Sequence, residues 1–209
     1  MPDIDELLGK GAPPLIAILR GLLPADAAET GRALLDAGIR IIEVPANSPG
    51  WQDSVATLAD TCGDRATIGA GTILTPAMVD EVARAGGRLV VAPNADNAVI
   101  GHAVALGLDV LPGVLTPTEA FAAIAAGARR LKLFPAASVP VSHLSALRDV
   151  LPEGTGIWAV GGVDPDGAAR WLEAGAQGVA TGSALFRPGR AIADIAQRAA
   201  HYVAALDKL

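Results

Sequence analysis

Lys132 sits in the stretch Arg-Leu-Lys-Leu-Phe-Pro-Ala at 130–136, an apolar run that Pro135 stops. Such a run reads as a short buried strand. Side chains alternate along a strand, so Leu131 and Leu133 face one layer while Lys132 and Phe134 face the other. Charged residues are rarely buried without a reason. The chain has 16 lysines and arginines together, yet only three are lysines, and the other two, Lys10 and Lys208, lie near the ends. Where a surface cation would serve, this sequence uses Arg. At 132 it uses the amine that burial can turn into a nucleophile near neutral pH. Glu43 repeats the pattern inside Ile-Ile-Glu-Val-Pro, alternating with Ile42 and Val44 as Lys132 does with its leucines.

Four more features complete the set. Arg20, followed by Gly21, offers a guanidinium fork for a carboxylate. Thr72, after Gly-Ala-Gly, can donate a hydroxyl to the same carboxylate or to a substrate oxygen. Gly161-Gly162 and Gly182-Ser183 can present backbone N–H groups to a phosphate, aided by a short helix N-terminus. Arg187 lies just beyond and is equally suited to solvent or an interface. A buried amine, a carboxylate, an Arg and an anion cradle suit Schiff-base chemistry on a phosphorylated 2-keto acid. The plainer alternative is a structural Lys132–Glu43 ion pair, which stabilises weakly because both ions must be desolvated. His102, His143 and His201 show no ligand spacing, so no metal site is expected. Trp51, Trp158 and Trp171 read as packing or rim residues.

The elements that must position these residues come from an internal repeat. DAGIRIIEV (36–44), RAGGRLVVAP (84–93), ALGLDVLPG (105–113), AAGARRLKLFPA (125–136) and EAGAQGVATGS (173–183) share a helical pattern, a small-Gly stop and a β-rich run. Strands alternating with helices of about ten residues favour parallel βαβ units over a solenoid. Strands are predicted at 15–19, 40–44, 66–70, 89–92, 109–111, 130–134, 157–160 and 178–181. Helices are predicted near 25–37, 50–60, 76–85, 95–106, 117–126, 141–150, 165–174 and 189–207, with Thr75-Pro76, Thr116-Pro117 and Asp164-Pro165 as start signals. Eight such units imply one α/β domain over 1–209, a (β/α)8 TIM barrel with a short leading helix at about 3–10. An open doubly wound sheet is the alternative, but the dinucleotide fingerprint is missing after the first strand. A barrel places active residues at the C-terminal strand ends, and the candidates collect there.

Composition narrows the setting. The chain of 209 residues is 51% hydrophobic and 18% charged, too apolar for disorder, with 24 Gly and 15 Pro for frequent turns. A net charge of −6 argues against nucleic-acid or acidic-membrane surfaces, so an anionic ligand must be drawn in by a local site. Charges interrupt every apolar run, so no membrane span is expected. The lone Cys62 and the acidic N-terminus without a signal pattern suggest the cytoplasm.

The motifs LIAILRG (15–21), IEVPANSP (42–49), IGAGT (68–72), VAPN (91–94), RLKLFPA (130–136), AVGGV (159–163) and GSALFRPG (182–189) resemble, nearly end to end, those of the phosphogluconate/phosphogalactonate (KDPG/KDPGal) aldolase family. The resemblance implies a homotrimeric barrel and a class I aldolase needing no metal or other cofactor. Its products would be pyruvate and D-glyceraldehyde 3-phosphate. By motif, Lys132 matches the Schiff-base lysine and Glu43 the acid/base. Arg20 and Thr72 match substrate-binding positions, and Gly161, Gly162, Gly182 and Ser183 the phosphate loop. Asn47 and Val160 stand where gluconate-cleaving members carry Arg and Thr, which favours the galactonate epimer. Ala46 and Thr181 depart mildly from the family pattern. The gluconate epimer and 4-hydroxy-2-oxoglutarate remain alternatives. More remote are a phosphosugar isomerase or synthase and a non-catalytic phosphosugar-binding barrel.

Overall fold

Helices and parallel strands alternate as the repeat predicts. In chain order they are α1 (Ile4–Gly9), β1 (Leu15–Ile18), α2 (Pro24–Asp36), β2 (Ile41–Pro45), α3 (Trp51–Cys62), β3 (Thr67–Gly71), α4 (Pro76–Arg84), β4 (Leu89–Val91), α5 (Asn97–Ala105), β5 (Asp109–Leu111), β6 (Gly113–Val114), α6 (Pro117–Ala125), β7 (Arg130–Leu133), α7 (Val141–Arg148), β8 (Gly156–Val160), α8 (Pro165–Glu173), β9 (Gly178–Thr181) and α9 (Ile192–Leu206). A 3₁₀ turn, Ala136–Ser138, follows β7. This computed structural model describes residues 1–206, so the predicted helix end at 207 and Lys208 lie outside the described residues.

Local chemistry explains where the helices begin and end. The side chains of Thr75, Thr116 and Asp164 accept N–H bonds from Met78, Glu119 and Gly167, with proline in the first turn each time. The glycines of the five repeats, Gly38, Gly86, Gly107, Gly127 and Gly175, all have φ between 68° and 104°. A side chain would clash in that left-handed conformation, so glycine ends each helix cleanly.

The strands form one parallel sheet in the order β5-β4-β3-β2-β1-β9-β8-β7-β6. Its two edges, β5 and β6, are separated in sequence only by Pro112 and are halves of one strand. The first half pairs with β4 and the second with β7, which closes the sheet into a barrel. Proline has no N–H to donate, but its carbonyl accepts from the Lys132 amide at 2.8 Å, so the ladder continues across the break. The fifth strand therefore runs on to Val114, where the sequence predicted it to stop at 111. The closed ring excludes the open doubly wound sheet.

Strand parity then sorts the side chains. Ile42, Val44, Leu131 and Leu133 pack outward against the helices. Ile16, Ile41, Leu89, Leu111, Trp158 and Ala180 fill the barrel. Trp158 is buried in this inner cluster and Trp51 and Trp171 in the outer one. Ile4 and Leu7 of α1 join the inner cluster, so the leading helix plugs the N-terminal mouth. The opposite mouth is left for the strand ends that carry the candidate residues.

Candidate active site

A cavity of about 780 Å³ opens at the C-terminal mouth of the barrel, and Lys132, Glu43, Arg20, Thr72, Gly161, Gly162, Gly182, Ser183 and Val160 all line it. Asn47 does not. It is exposed and meets the site through Arg20, whose Nη1 donates to the Asn47 Oδ1.

Lys132 points inward from β7 and is 7% exposed. Burial lowers its pKa from 10.5; the Glu43 charge opposes this and Arg20 adds to it. Its Nζ lies 4.5 Å from the centre of the Phe134 ring, two residues along the same face. Glu43 points inward from β2 and is 2% exposed. Burial lifts its carboxyl from 4.5 to about 7, against the charges of Lys132 and Arg20. Its Oε2 is buried without a hydrogen-bond partner. An acid of that strength is poised to give and take a proton near neutral pH.

Gly71, at the end of β3, explains why the carboxylate fits. A Cβ there would lie 1.9 Å from the Glu43 Oε2. The sequence carried a signal for this role: alternate glycines in Gly69-Ala70-Gly71 vacate one face of a strand beside β2. Thr72, next in the chain, has φ 59°, the one positive φ outside glycine among the described residues. Such strain in a residue lining the cavity points to a side chain held for a purpose.

Loop contacts fix Arg20. The Gly21 N–H donates to the buried Ser48 Oγ at 2.9 Å, so the chain after β2 latches the chain after β1. Ser48 was visible in the sequence only as a loop residue; its partner lies 27 positions away.

The two glycine loops lie side by side, after the neighbouring strands β8 and β9, between the strands of Lys132 and Arg20. No short helix stands behind Gly182-Ser183 as the sequence predicted. The chain makes a turn instead, with Gly182 accepting from the Leu185 and Phe186 amides at 2.9 Å. Arginines replace the missing helix. Arg187 Nε donates to the Ser183 carbonyl at 3.0 Å, and Arg190 Nη1 to the Leu185 carbonyl at 2.6 Å. Arg190 and Arg198 both reach the Ala184 carbonyl at 3.1 Å, and Asp194 pairs with both guanidinium groups. Asp194 and Arg198 lie one turn apart on α9, and Arg190 reaches Asp194 from the chain just before that helix; the four-residue spacing is a readable signal for this brace. With the carbonyls taken, the amides of Gly162, Ser183 and Ala184 donate to no backbone oxygen among the described residues. Free N–H groups backed by positive charge suit an oxyanion. Among the described residues, no three His, Cys, Asp or Glu side chains converge as metal ligands.

A family model described as KDPG and KHG aldolase matches residues 5–197. The chain belongs to this aldolase family. A protein of Escherichia coli (strain K12) named 2-dehydro-3-deoxy-6-phosphogalactonate aldolase is 46% identical over 192 residues, covering 92% of this chain and 94% of that protein. A solved structure described as native KDPGal superposes with a TM-score of 0.91 at 46% identity, covering 93% of this chain and 95% of that one. The KDPG aldolase of Legionella pneumophila, solved with pyruvate captured as a covalent carbinolamine, matches with a TM-score of 0.77 at 25% identity, covering 93% of each chain. The enzyme is therefore an aldehyde-lyase on a TIM barrel. No helix among the described residues is long and apolar enough to cross a membrane.

Proposed function

We propose that this aldolase cleaves 2-dehydro-3-deoxy-6-phospho-D-galactonate to pyruvate and D-glyceraldehyde 3-phosphate through an imine on Lys132. The observation that carries the reading is the pairing, in one buried mouth, of an amine with a lowered pKa and a carboxyl raised to about 7.

The neutral Lys132 amine attacks the C2 carbonyl to give a carbinolamine. Protonated Glu43 supplies the proton with which the C2 oxygen leaves as water, which forms the iminium and leaves Glu43 ionised. Glu43 then takes the proton of the C4 hydroxyl. The C3–C4 bond breaks, its electrons pass into the iminium, and C4 departs as the aldehyde carbon of glyceraldehyde 3-phosphate. The remaining enamine takes a proton at C3, and water hydrolyses the pyruvate iminium to free Lys132. The protonated imine polarises the bond, so the scheme draws on no metal.

Arg20 and Thr72 bind the carboxylate end, and the amides at Gly162 and Ser183 bind the phosphate, with Gly161 and Gly182 forming the loops. Val160 offers an apolar wall where a hydroxyl would grip one C4 epimer, and Asn47 sets the aim of Arg20. The 46% identity to the phosphogalactonate relative, against 25% to the Legionella KDPG aldolase, supports the galactonate epimer. We read the enzyme as one domain, cytoplasmic and homotrimeric, as the family resemblance implies.

Borohydride reduction in the presence of pyruvate, followed by peptide mapping, tests the mechanism. The expected product is an adduct on Lys132, absent in Lys132→Ala. An active enzyme with no trapped adduct would sink the imine mechanism. Higher kcat/KM for the galactonate than the gluconate epimer is expected; the reverse order would move the substrate to the gluconate.

A further inference from the structure

Thr181, at the end of β9, is a polar residue only 1% exposed. Its Oγ1 donates to the Tyr202 Oη at 2.7 Å, and the Tyr202 Oη donates to the Val163 carbonyl at 3.0 Å. The direction is forced. A carbonyl only accepts, so the phenol's one proton goes to Val163 and its oxygen receives the Thr181 proton. Tyr202 is the only tyrosine in the chain and is 1% exposed. Burial pushes its phenol pKa up, so it keeps the proton it donates.

These two bonds join both anion loops. Thr181 immediately precedes Gly182-Ser183, and Val163 immediately follows Gly161-Gly162. The link between them runs through α9, which contributes nothing to the cavity wall. Val163 lies in irregular chain, and among the described residues no backbone amide donates to its carbonyl. A buried carbonyl needs a donor, and Tyr202 is the one the fold supplies. Arg198, on the same helix, holds the Ala184 carbonyl of the second loop. Two apolar residues at 181 and 202 would fill the space without the cost of burying three polar groups.

We propose that Tyr202 is a positioning residue that, with Thr181, holds the two glycine loops in the register that grips the substrate phosphate. The inference rests on the phosphosugar reading above and adds the device that sets its phosphate affinity. It acts on the phosphate end alone, because the Lys132 and Glu43 strands lie outside this hydrogen-bond chain.

The test is Tyr202→Phe, which removes one oxygen. In calorimetry with inorganic phosphate it should bind about tenfold more weakly than wild type, the scale of one buried hydrogen bond lost. The KM for the phosphorylated substrate should rise about tenfold with kcat within about twofold, and pyruvate trapping at Lys132 should keep its rate. Thr181→Val should reproduce this split and Thr181→Ser should not, which carries the comparison if Tyr202→Phe fails to fold. Unchanged phosphate affinity in Tyr202→Phe and Thr181→Val would overturn the proposal. So would an equal loss in phosphate binding and pyruvate trapping, the mark of general loosening, or a wild type that takes no phosphate at millimolar concentration. A wild type that binds phosphate but forms no Lys132 adduct would instead defeat the imine mechanism and leave the phosphate measurement to decide on Tyr202.

Discussion

Glu43 is held against its own solvation. Its folded pKa, about 7, lies above the ordinary 4.5 because burial outweighs the Lys132 and Arg20 charges. The folded enzyme therefore keeps a proton that the unfolded chain gives up. That stability is fully present below pH 4.5 and is lost as pH rises through about 7. Lys132 works in the opposite sense: its pKa is lowered from 10.5, so stability present above that pH is lost as pH falls. Both groups cost stability near neutrality, the common exchange of stability for reactivity at a catalytic site. Glu43→Gln should lower kcat by about 10²–10⁴-fold. It should also flatten the dependence of urea stability on pH between 4.5 and 7. Retained turnover would remove Glu43 from the proton path. That both side chains face away from their apolar neighbours was legible in the sequence, because strand parity is local; that this face is the barrel interior was not. The room for the Glu43 carboxylate was not, because Gly71 sits on the neighbouring strand.

At the scale of elements, the floor of the barrel is built as firmly as its mouth. Arg130, inward on β7 like Lys132, is 4% exposed and donates to the Asp109 Oδ1 at 2.9 Å and to Asp5 of α1. Asp109 also accepts the Ile4 amide at 3.1 Å. The plug helix is thus tied to β5 and β7 by charge as well as by Ile4 and Leu7. Arg130→Ala would leave the Asp109 carboxylate with only the exposed Arg129, 3.9 Å away, as its cation, a loss of about 3 kcal/mol. Urea unfolding should show it, while kcat per folded molecule holds because the chemistry lies at the other mouth. An unmoved unfolding midpoint would mean that water replaces the guanidinium. The helix starts at Pro76, Pro117 and Pro165 and the five glycine stops were read from sequence to the residue, since caps depend on neighbours three or four positions away. Without such a start signal, α5 and α9 begin two and three residues later than predicted. The fifth strand was cut short because Pro112 reads as a terminator until β4 and β7 are seen to share it.

For the whole molecule, α5 and α6 leave apolar side chains in water. Val104 is 41% exposed, Leu106 43% and Phe121 45%, and the two helices pack together. Such a face suits burial against another copy. In the proposed homotrimer, sedimentation should report three times the chain mass, and Phe121→Glu should shift the distribution toward smaller species. A wild-type monomer at micromolar concentration would refute the trimer.

The sequence by itself determined the repeat of strands and helices, the capped helix starts and glycine stops, and the parity that sets Lys132 and Glu43 opposite their apolar neighbours. Each of these follows from interactions within a few residues or from the period of a strand. Only the tertiary structure decided how the loops are held. Arg20 meets Asn47 across 27 positions, Thr181 meets Tyr202 across 21, and Tyr202 meets Val163 across 39. No local pattern encodes such pairs, because they exist only once the sheet has closed and brought the ends of distant strands to one mouth.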